Sequence, residues 1–377
     1  MSFEKTVPDV VVIGSVLAGL TAAFELRQRG IEALILEREA DVGASWMRRH
    51  PQLTLNTHRS LSALPGLAYP AGTGAFPRRD AVVAHLRAFR ERHGFDIRHG
   101  VDAAAVDRAG EGFRIETNTG AIHARHVIVA TGRDALPEIP RWKGIEGFAG
   151  RVIHAADLGD ARVYAGKSIL VIGGGNSGFD VLNHLSRVDT KQVWLSVRRG
   201  PALMAKRIAG LAVHRFSPLM AMLPTRLVDY LIAGTQRLAF GDLTRHGFPA
   251  GTADAATRLK RHKIAISVDD GAIAAVKKGR IIVVPEVREF TPTGVLLADG
   301  RSVQPDIVIA AVGYASALDS LLAPLGLPDG FGGSRPGATA VPNLWLVGMT
   351  PSLTSYFRQA RLEAKHVAKA VASTRSA

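Results

Sequence analysis

The chain has 377 residues, 47% of them apolar, which is enough material for two substantial hydrophobic cores. It contains no cysteine, so disulfides, thiolate metal sites and dithiol redox chemistry are excluded. Its 47 Lys and Arg outnumber 33 Asp and Glu for a formal charge of +14, but no nucleic-acid motif or basic run accompanies the excess, which reads as an arginine-rich surface that steers phosphate-bearing small molecules.

No segment is apolar without interruption for the roughly 18–20 residues that a spanning helix needs. Met1 to Asp9 lacks the basic start, apolar stretch and small-residue cleavage site of a secretory signal, and a cytoplasmic enzyme is expected. The 13 histidines are scattered, and the pairs His93/His99 and His123/His126 come without supporting carboxylates, so no metal site is expected.

The first ordered signal is the apolar run Val7 to Ile13, which stops at Gly14-Ser-Val-Leu-Ala-Gly19 and resumes as a helical pattern to Arg29. Gly30 stops that helix, Ile31 to Leu36 reads as a second strand, and Glu37 stands at its end. A strand–glycine turn–helix unit aims unpaired N–H groups at a pyrophosphate, and an acid after the second strand can accept the hydroxyls of an adenosine ribose. Val16 occupies the position usually held by the middle glycine. A β-branched side chain there is expected to hold the phosphates away or to shift the turn, weakening binding of the dinucleotide at this turn.

The same construction returns about 160 residues later. Lys167 to Ile172 reads as a strand, Gly173-Gly-Gly175-Asn176-Ser177-Gly178 as the turn, the residues to about Ser186 as a helix, and Gln192 to Val197 as the next strand. All three fingerprint glycines are present. This strand ends in Arg198-Arg199 rather than in an acid, and guanidinium groups there suit a 2′-phosphate. One charge-assisted hydrogen bond, at about 1.5–3 kcal/mol, favours NADPH over NADH about tenfold or more. One such turn is weak evidence, whereas two strand-embedded copies with opposite ribose-end chemistry are strong. Asn176 and Ser177 either meet NADPH phosphates or cap the helix.

Between and beyond these units, several segments resemble flavin-containing monooxygenases, the class B flavoprotein monooxygenases. They are Gly43-Ala-Ser45-Trp46, Leu53-Thr-Leu-Asn56-Thr-His-Arg59, Phe76-Pro-Arg-Arg-Asp80, and Val127-Ile-Val-Ala-Thr131-Gly132. Phe148-Ala-Gly150-Arg-Val-Ile-His154 resembles the core of the fingerprint shared by N-oxidising and Baeyer–Villiger members, without the aromatic residue at Leu158. Leu223 to Leu231 resembles the plant indole-pyruvate branch. Asp306 to Tyr314 and Asn343 to Gly348 resemble the later strands, so the likeness covers nearly the whole chain.

The resemblance implies an α/β fold of the flavin disulfide-reductase type. It has two Rossmann-like dinucleotide-binding domains: an FAD domain from residues 1–155 and 289–377, and an NADPH domain inserted at 156–288. It further implies hydride transfer from NADPH to FAD, then oxygenation of a small organic substrate by a flavin C4a-hydroperoxide formed with O2, at nitrogen, sulfur or beside a carbonyl. Asn56 is the implied active-site amide. Gly14, Gly19, Glu37, Ser45, Trp46, Thr131, Gly132 and Gly348 are the expected FAD contacts; Gly173, Gly175, Asn176, Ser177, Gly178, Arg198 and Arg199 are those of NADPH. Trp46 packs on the flavin or fills the core, and His154 and Arg151 meet cofactor or act as linker.

Antiparallel crossovers are expected at Phe113 to Ala121 and Val295 to Val303. Residues 201–248 read as two or three short helices that wall the substrate entrance, lie on a membrane, or pack at a sheet edge or homodimer interface. Two other functions fit the same fold. One is a reductase passing electrons to a partner protein; the other is a non-catalytic cofactor-binding protein.

Overall fold

A computed structural model describes residues 8–134, 136–251, 253–327 and 337–375, so the expected strand start at Val7 and the N-terminal residues before it lie outside the described residues. The chain opens with β1 (Val10–Ile13), α1 (Leu17–Arg27) and β2 (Leu34–Glu37), continues through α2 (Arg79–His93) and β3 (Ile97–His99), and reaches β4 (His126–Val129) after a small antiparallel sheet. Every residue of β1, β2 and β4 is buried, as a parallel strand covered on both faces requires.

The second unit begins with β5 (Arg151–His154), β6 (Ser168–Ile172), α3 (Asn176–Leu185) and β7 (Gln192–Ser196). It continues with α4 (Thr225–Phe240), α5 (Ala255–His262), β8 (Ile281–Val284) and β9 (Ile307–Ala310). The chain then returns to the first unit as β10 (Leu344–Leu346) and α6 (Tyr356–Arg375).

Each unit is built on a five-stranded parallel sheet, in the orders β10-β4-β1-β2-β3 and β8-β7-β6-β9-β5. In both, strand order reverses beside the strand that leads into the glycine turn. The crevice at the carboxyl ends of these strands is where such sheets take ligands. Counted by sheet membership, the second unit runs from Arg151 to Ala310, wider than 156–288, because β9 pairs with β6 and β5 pairs with β9.

The expected crossovers are present as antiparallel sheets of 103–124 and 287–303. Segment 201–248 holds α4 and a helical turn at Ser217–Met220. It also carries pairings too short for periodicity to reveal: Leu203–Ala205 with Ser267–Asp269, and Arg207–Ile208 with Leu211–Ala212. Helix α1 shows no amphipathic stripe because it is covered on both sides, by β1 and by α6, in one core with Leu20, Leu26, Ala360 and Val367. Among the described residues no helix is long and apolar enough to cross a membrane.

Candidate active site

The two glycine turns are built alike. Gly14 N–H donates to Leu36 O at 2.8 Å and Gly173 N–H to Ser196 O at 3.0 Å, so each turn starts beside the end of the neighbouring strand. Gly14 and Gly173 have φ of +102° and +117°, where a side chain is strained. A Cβ on Gly19 would stand 1.8 Å from Gly14 O, and one on Gly178 1.9 Å from Gly173 O, so only glycine lets either helix start this close to its strand. Neither α1 nor α3 has a side-chain cap hydrogen bond or an acid in its first turn, which leaves their first N–H groups to an anion.

Val16 does not shift the first turn. Its φ and ψ of −83° and −159° match the −79° and −173° of Gly175, an extended conformation open to any residue. What Val16 changes is the space in front of the turn, where its side chain joins the cavity wall. Glu37 is buried behind Ser15, whose N–H and hydroxyl donate to Oε2 at 2.8 and 2.6 Å. Oε1 accepts from Glu39 N–H at 2.9 Å. With four lone-pair directions on a carboxylate, one remains for a ribose hydroxyl. At the corresponding end of the second unit, Arg198 and Arg199 are exposed, and neither has an ion-pair partner among the described residues.

Between the turns lies a cavity of about 720 Å³. Of the residues singled out from the sequence, Ser45, Trp46, Asn56, Thr131, Gly132, Asn176, Ser177 and Gly348 line it. Gly348, at φ +78°, donates its N–H to the buried Glu363 carboxylate at 2.7 Å and passes close over Ala18. Trp46 fills both expected roles, lining the cavity while its far side packs on the first core. Gly14, Gly19, Gly173, Gly175 and Gly178 shape the turns without lining the cavity, and Glu37, Arg198 and Arg199 lie outside it.

One segment, residues 50–58, reaches from the first unit to the second through its even-numbered positions, with a turn at residues 51–52 and a bend at 56–57. His50 Nε2 pairs with Asp180 Oδ2 at 2.7 Å, and Gln52 Nε2 donates to Gly159 O at 2.9 Å. Lys206 Nζ donates to Thr54 Oγ1 at 2.7 Å, and Asn56 Nδ2 to Asn176 Oδ1 at 2.9 Å. His58 N–H donates to His214 Nδ1 at 3.2 Å. Asn176 therefore does not cap α3: it is the first helical residue and spends its amide oxygen on Asn56.

The electrostatics of this seam follow from burial and pairing. Burial pushes the Asp180 carboxyl up, but hydrogen bonds from His184 and His50 outweigh it and hold it well below the carboxylate range. Burial lowers the Lys206 ammonium, and Asp270 at 3.5 Å opposes that shift. The His214 ring, buried on the cavity wall, is pushed down to about 4 and is neutral near neutral pH. His50, Asp180 and His184 form a donor set that could hold a metal ion. Sequence spacing could not show it, since His50 and Asp180 are 130 residues apart. With His50 Nε2 already on the carboxylate at 2.7 Å, the set acts here as a hydrogen-bonded link between the two units.

His154, from the fingerprint segment, is buried with both ring nitrogens used on the linker: Nδ1 accepts from Ala156 N–H at 3.0 Å and Nε2 meets Gly313 O at 3.0 Å. The Phe148-x-Gly150 spacing has a packing cause, because a Cβ on Gly150 would stand 2.4 Å from the Phe148 ring. The far wall of the cavity is apolar, with Leu55, Met204, Leu259, Ile266 and Leu353, and sequence periodicity had not marked these residues as site.

Residues 116–325 match the family described as flavin-binding monooxygenase-like, and residues 11–211 match the pyridine nucleotide-disulphide oxidoreductase family. The chain belongs to the flavin-binding monooxygenase-like family. It is 32% identical to the indole-3-pyruvate monooxygenase YUCCA1 of Oryza sativa subsp. japonica, over 91% of this chain and 85% of that one. A flavin-containing monooxygenase from Stenotrophomonas maltophilia superposes with a TM-score of 0.73 at 27% identity, covering 98% of this chain and 99% of that one. A cyclohexanone monooxygenase shares the fold at 17% identity and a TM-score of 0.72, over 98% and 88% of the two chains. As a flavin monooxygenase the protein is an oxidoreductase with FAD and NADPH as cofactors.

Proposed function

We propose that this flavin monooxygenase inserts one oxygen atom from O2 into a small organic acid with an apolar body, a 2-oxo acid of the indole-3-pyruvate type being the first candidate. The observation that carries the reading is the shared cavity: residues of both glycine turns line it, Asn56 and Asn176 meet on its wall, and the rest of its lining includes the apolar Leu55, Met204, Leu259, Ile266 and Leu353. The relatives' names supply the candidate substrate, and the apolar wall suits an aromatic side chain.

In this reading Gly14, Gly19 and Glu37 hold the adenosine diphosphate of FAD, with Ser45, Trp46, Thr131, Gly132 and Gly348 around the rest of that cofactor. Gly173, Gly175, Ser177 and Gly178 hold the pyrophosphate of NADPH, and Arg198 and Arg199 its 2′-phosphate. When bound, FAD takes the hydride and activates oxygen. The chain's own task is to orient and to exclude water. Asn56, fixed by Asn176, offers an amide to the reacting oxygen, while neutral His214 and the apolar wall keep proton donors scarce. With no cysteine in the chain, thiol–disulfide transfer is excluded. The setting that supplies NADPH is cytoplasmic.

The test is to load the protein with FAD, supply NADPH and ¹⁸O2, and screen aryl 2-oxo acids, amines, sulfides and cyclic ketones by mass spectrometry. The expected result is a product from an aryl 2-oxo acid carrying one ¹⁸O atom. If every substrate leaves all NADPH electrons in hydrogen peroxide, the proposal fails.

A further inference from the structure

Helix α4 is apolar on two faces. Val228, Ile232 and Phe240 are buried beneath it. Leu227, Tyr230, Leu231 and Leu238 recur as a second stripe that faces outward, Tyr230 being 72% and Leu238 80% exposed. The outer face of a surface helix is ordinarily polar, and among the described residues this apolar stripe has no partner. The turn before α4 extends the patch through Leu219, 66% exposed, and Met222, 83% exposed.

The exposed charge on α4 and on the turn before it is positive, and the first acid after the helix, Asp242, pairs with Arg245. Between Arg207 and Gly241 the one acid is Asp229, which is buried and accepts from the backbone N–H groups of Ala256 and Thr257. Arg215, Arg226 and Arg237 are exposed, with no carboxylate in ion-pair range among the described residues. Arg226 and Arg237 are eleven residues apart on α4, so they project from the same flank of the apolar stripe.

We propose that this face docks on an anionic lipid bilayer. An apolar stripe edged by arginines on a helix lying in the interface plane suits the boundary between acyl chains and acidic headgroups. The same arginines disfavour the rival occupant, a second copy of the chain, because a two-fold contact through this patch sets guanidinium against guanidinium. The proposal stands apart from the substrate reading and fails or holds without it.

The FAD-loaded full chain is sedimented with vesicles of phosphatidylcholine alone and with vesicles of two parts phosphatidylcholine to one part phosphatidylglycerol. Sedimentation is expected with the anionic vesicles only, fading as salt is raised. Each arginine near the surface is worth about fivefold in partition, so Arg226→Ala with Arg237→Ala is expected to weaken it by about twenty-five-fold. Leu219→Asp with Met222→Asp is expected to weaken it at least about tenfold. Both double variants should reduce flavin with NADPH in solution at the parent rate. The proposal is overturned by equal sedimentation with both vesicle types, by none with either, or by a concentration-dependent dimer that Met222→Asp abolishes.

Discussion

Asn56 and Asn176, 120 residues apart, share a 2.9 Å hydrogen bond between side-chain amides, and through it the second glycine turn reaches the residue proposed for the reacting centre. Removing the donor by Asn56→Ala leaves the Asn176 oxygen without this partner and removes an amide from the cavity. A net hydrogen bond is worth about 0.5–1.5 kcal/mol, so a change of about two- to tenfold is expected. It should appear in coupling rather than in hydride transfer: more hydrogen peroxide per NADPH consumed, with the rate of flavin reduction close to the parent's. Stopped-flow reduction and a peroxide assay separate the two. A fall in reduction rate at unchanged coupling would move Asn56 from the oxygen step to NADPH positioning.

The cofactor preference is assigned to Arg198 and Arg199, which stand exposed at the end of β7 without ion-pair partners among the described residues. Their replacement by alanine frees no buried charge and should leave the fold intact. The affinity for NADPH is expected to drop about tenfold or more while that for NADH stays within about twofold. Flavin reduction measured against the concentration of each nucleotide gives both numbers. An unchanged ratio would mean that the 2′-phosphate is held elsewhere.

Two buried histidines set an acid limit on stability. Burial pushes His214 and His85 each down to about 4, and His85 is already committed, its Nε2 accepting from Leu64 N–H at 3.0 Å while its ring stacks on Tyr69. A histidine in the unfolded chain titrates near about 6.5. Between about pH 6.5 and 4 the unfolded chain therefore binds protons that the fold refuses, so stability falls as pH falls through that window, on the order of 2–3 kcal/mol per pH unit for the pair. Urea unfolding at about pH 7.5 and 5.5 should show the loss, and His85→Gln, which keeps an acceptor, should reduce its slope by about half. Equal midpoints at the two pH values would contradict the assignment.

The glycine turns were legible in the sequence because their residues answer to local sterics: positive φ at Gly14 and Gly173, and no room for a Cβ at Gly19 and Gly178. Phe148 and Gly150 were legible as a motif, although the ring lying over the glycine had to be seen to explain the spacing. The seam was not legible. His50–Asp180, Thr54–Lys206 and His58–His214 join residues 130 to 156 positions apart along a segment of turns and bends, which carries no periodic pattern to mark what it meets. Helix α1 was legible as a helix but not its packing, because a helix buried on both sides has no single apolar face to say what covers it. The strands β5 and β9 were read into the first unit because burial patterns do not say which of two parallel sheets a strand joins.

Val16 and Gly175 occupy equivalent places in the two turns with nearly the same backbone, so exchanging their side chains isolates the space in front of each pyrophosphate. A Cβ on Gly175 would meet nothing within 4 Å in the protein, so Gly175→Val should leave stability almost unchanged, whereas Val16→Gly gives up the partial packing of Val16 on the first core. Unfolding midpoints of both variants separate that packing loss from the effect on the cofactor. Val16→Gly is expected to tighten FAD binding and raise the flavin retained after dialysis, while Gly175→Val is expected to weaken NADPH binding and leave flavin content alone. The two predictions share one cause, close approach of backbone to phosphate. Flavin absorbance per protein and NADPH titration of the oxidised protein measure them separately. If Val16→Gly retains no more flavin than the parent, which itself stays fully loaded, the first turn accommodates its valine, and the pyrophosphate of FAD lies farther from the backbone than that of NADPH.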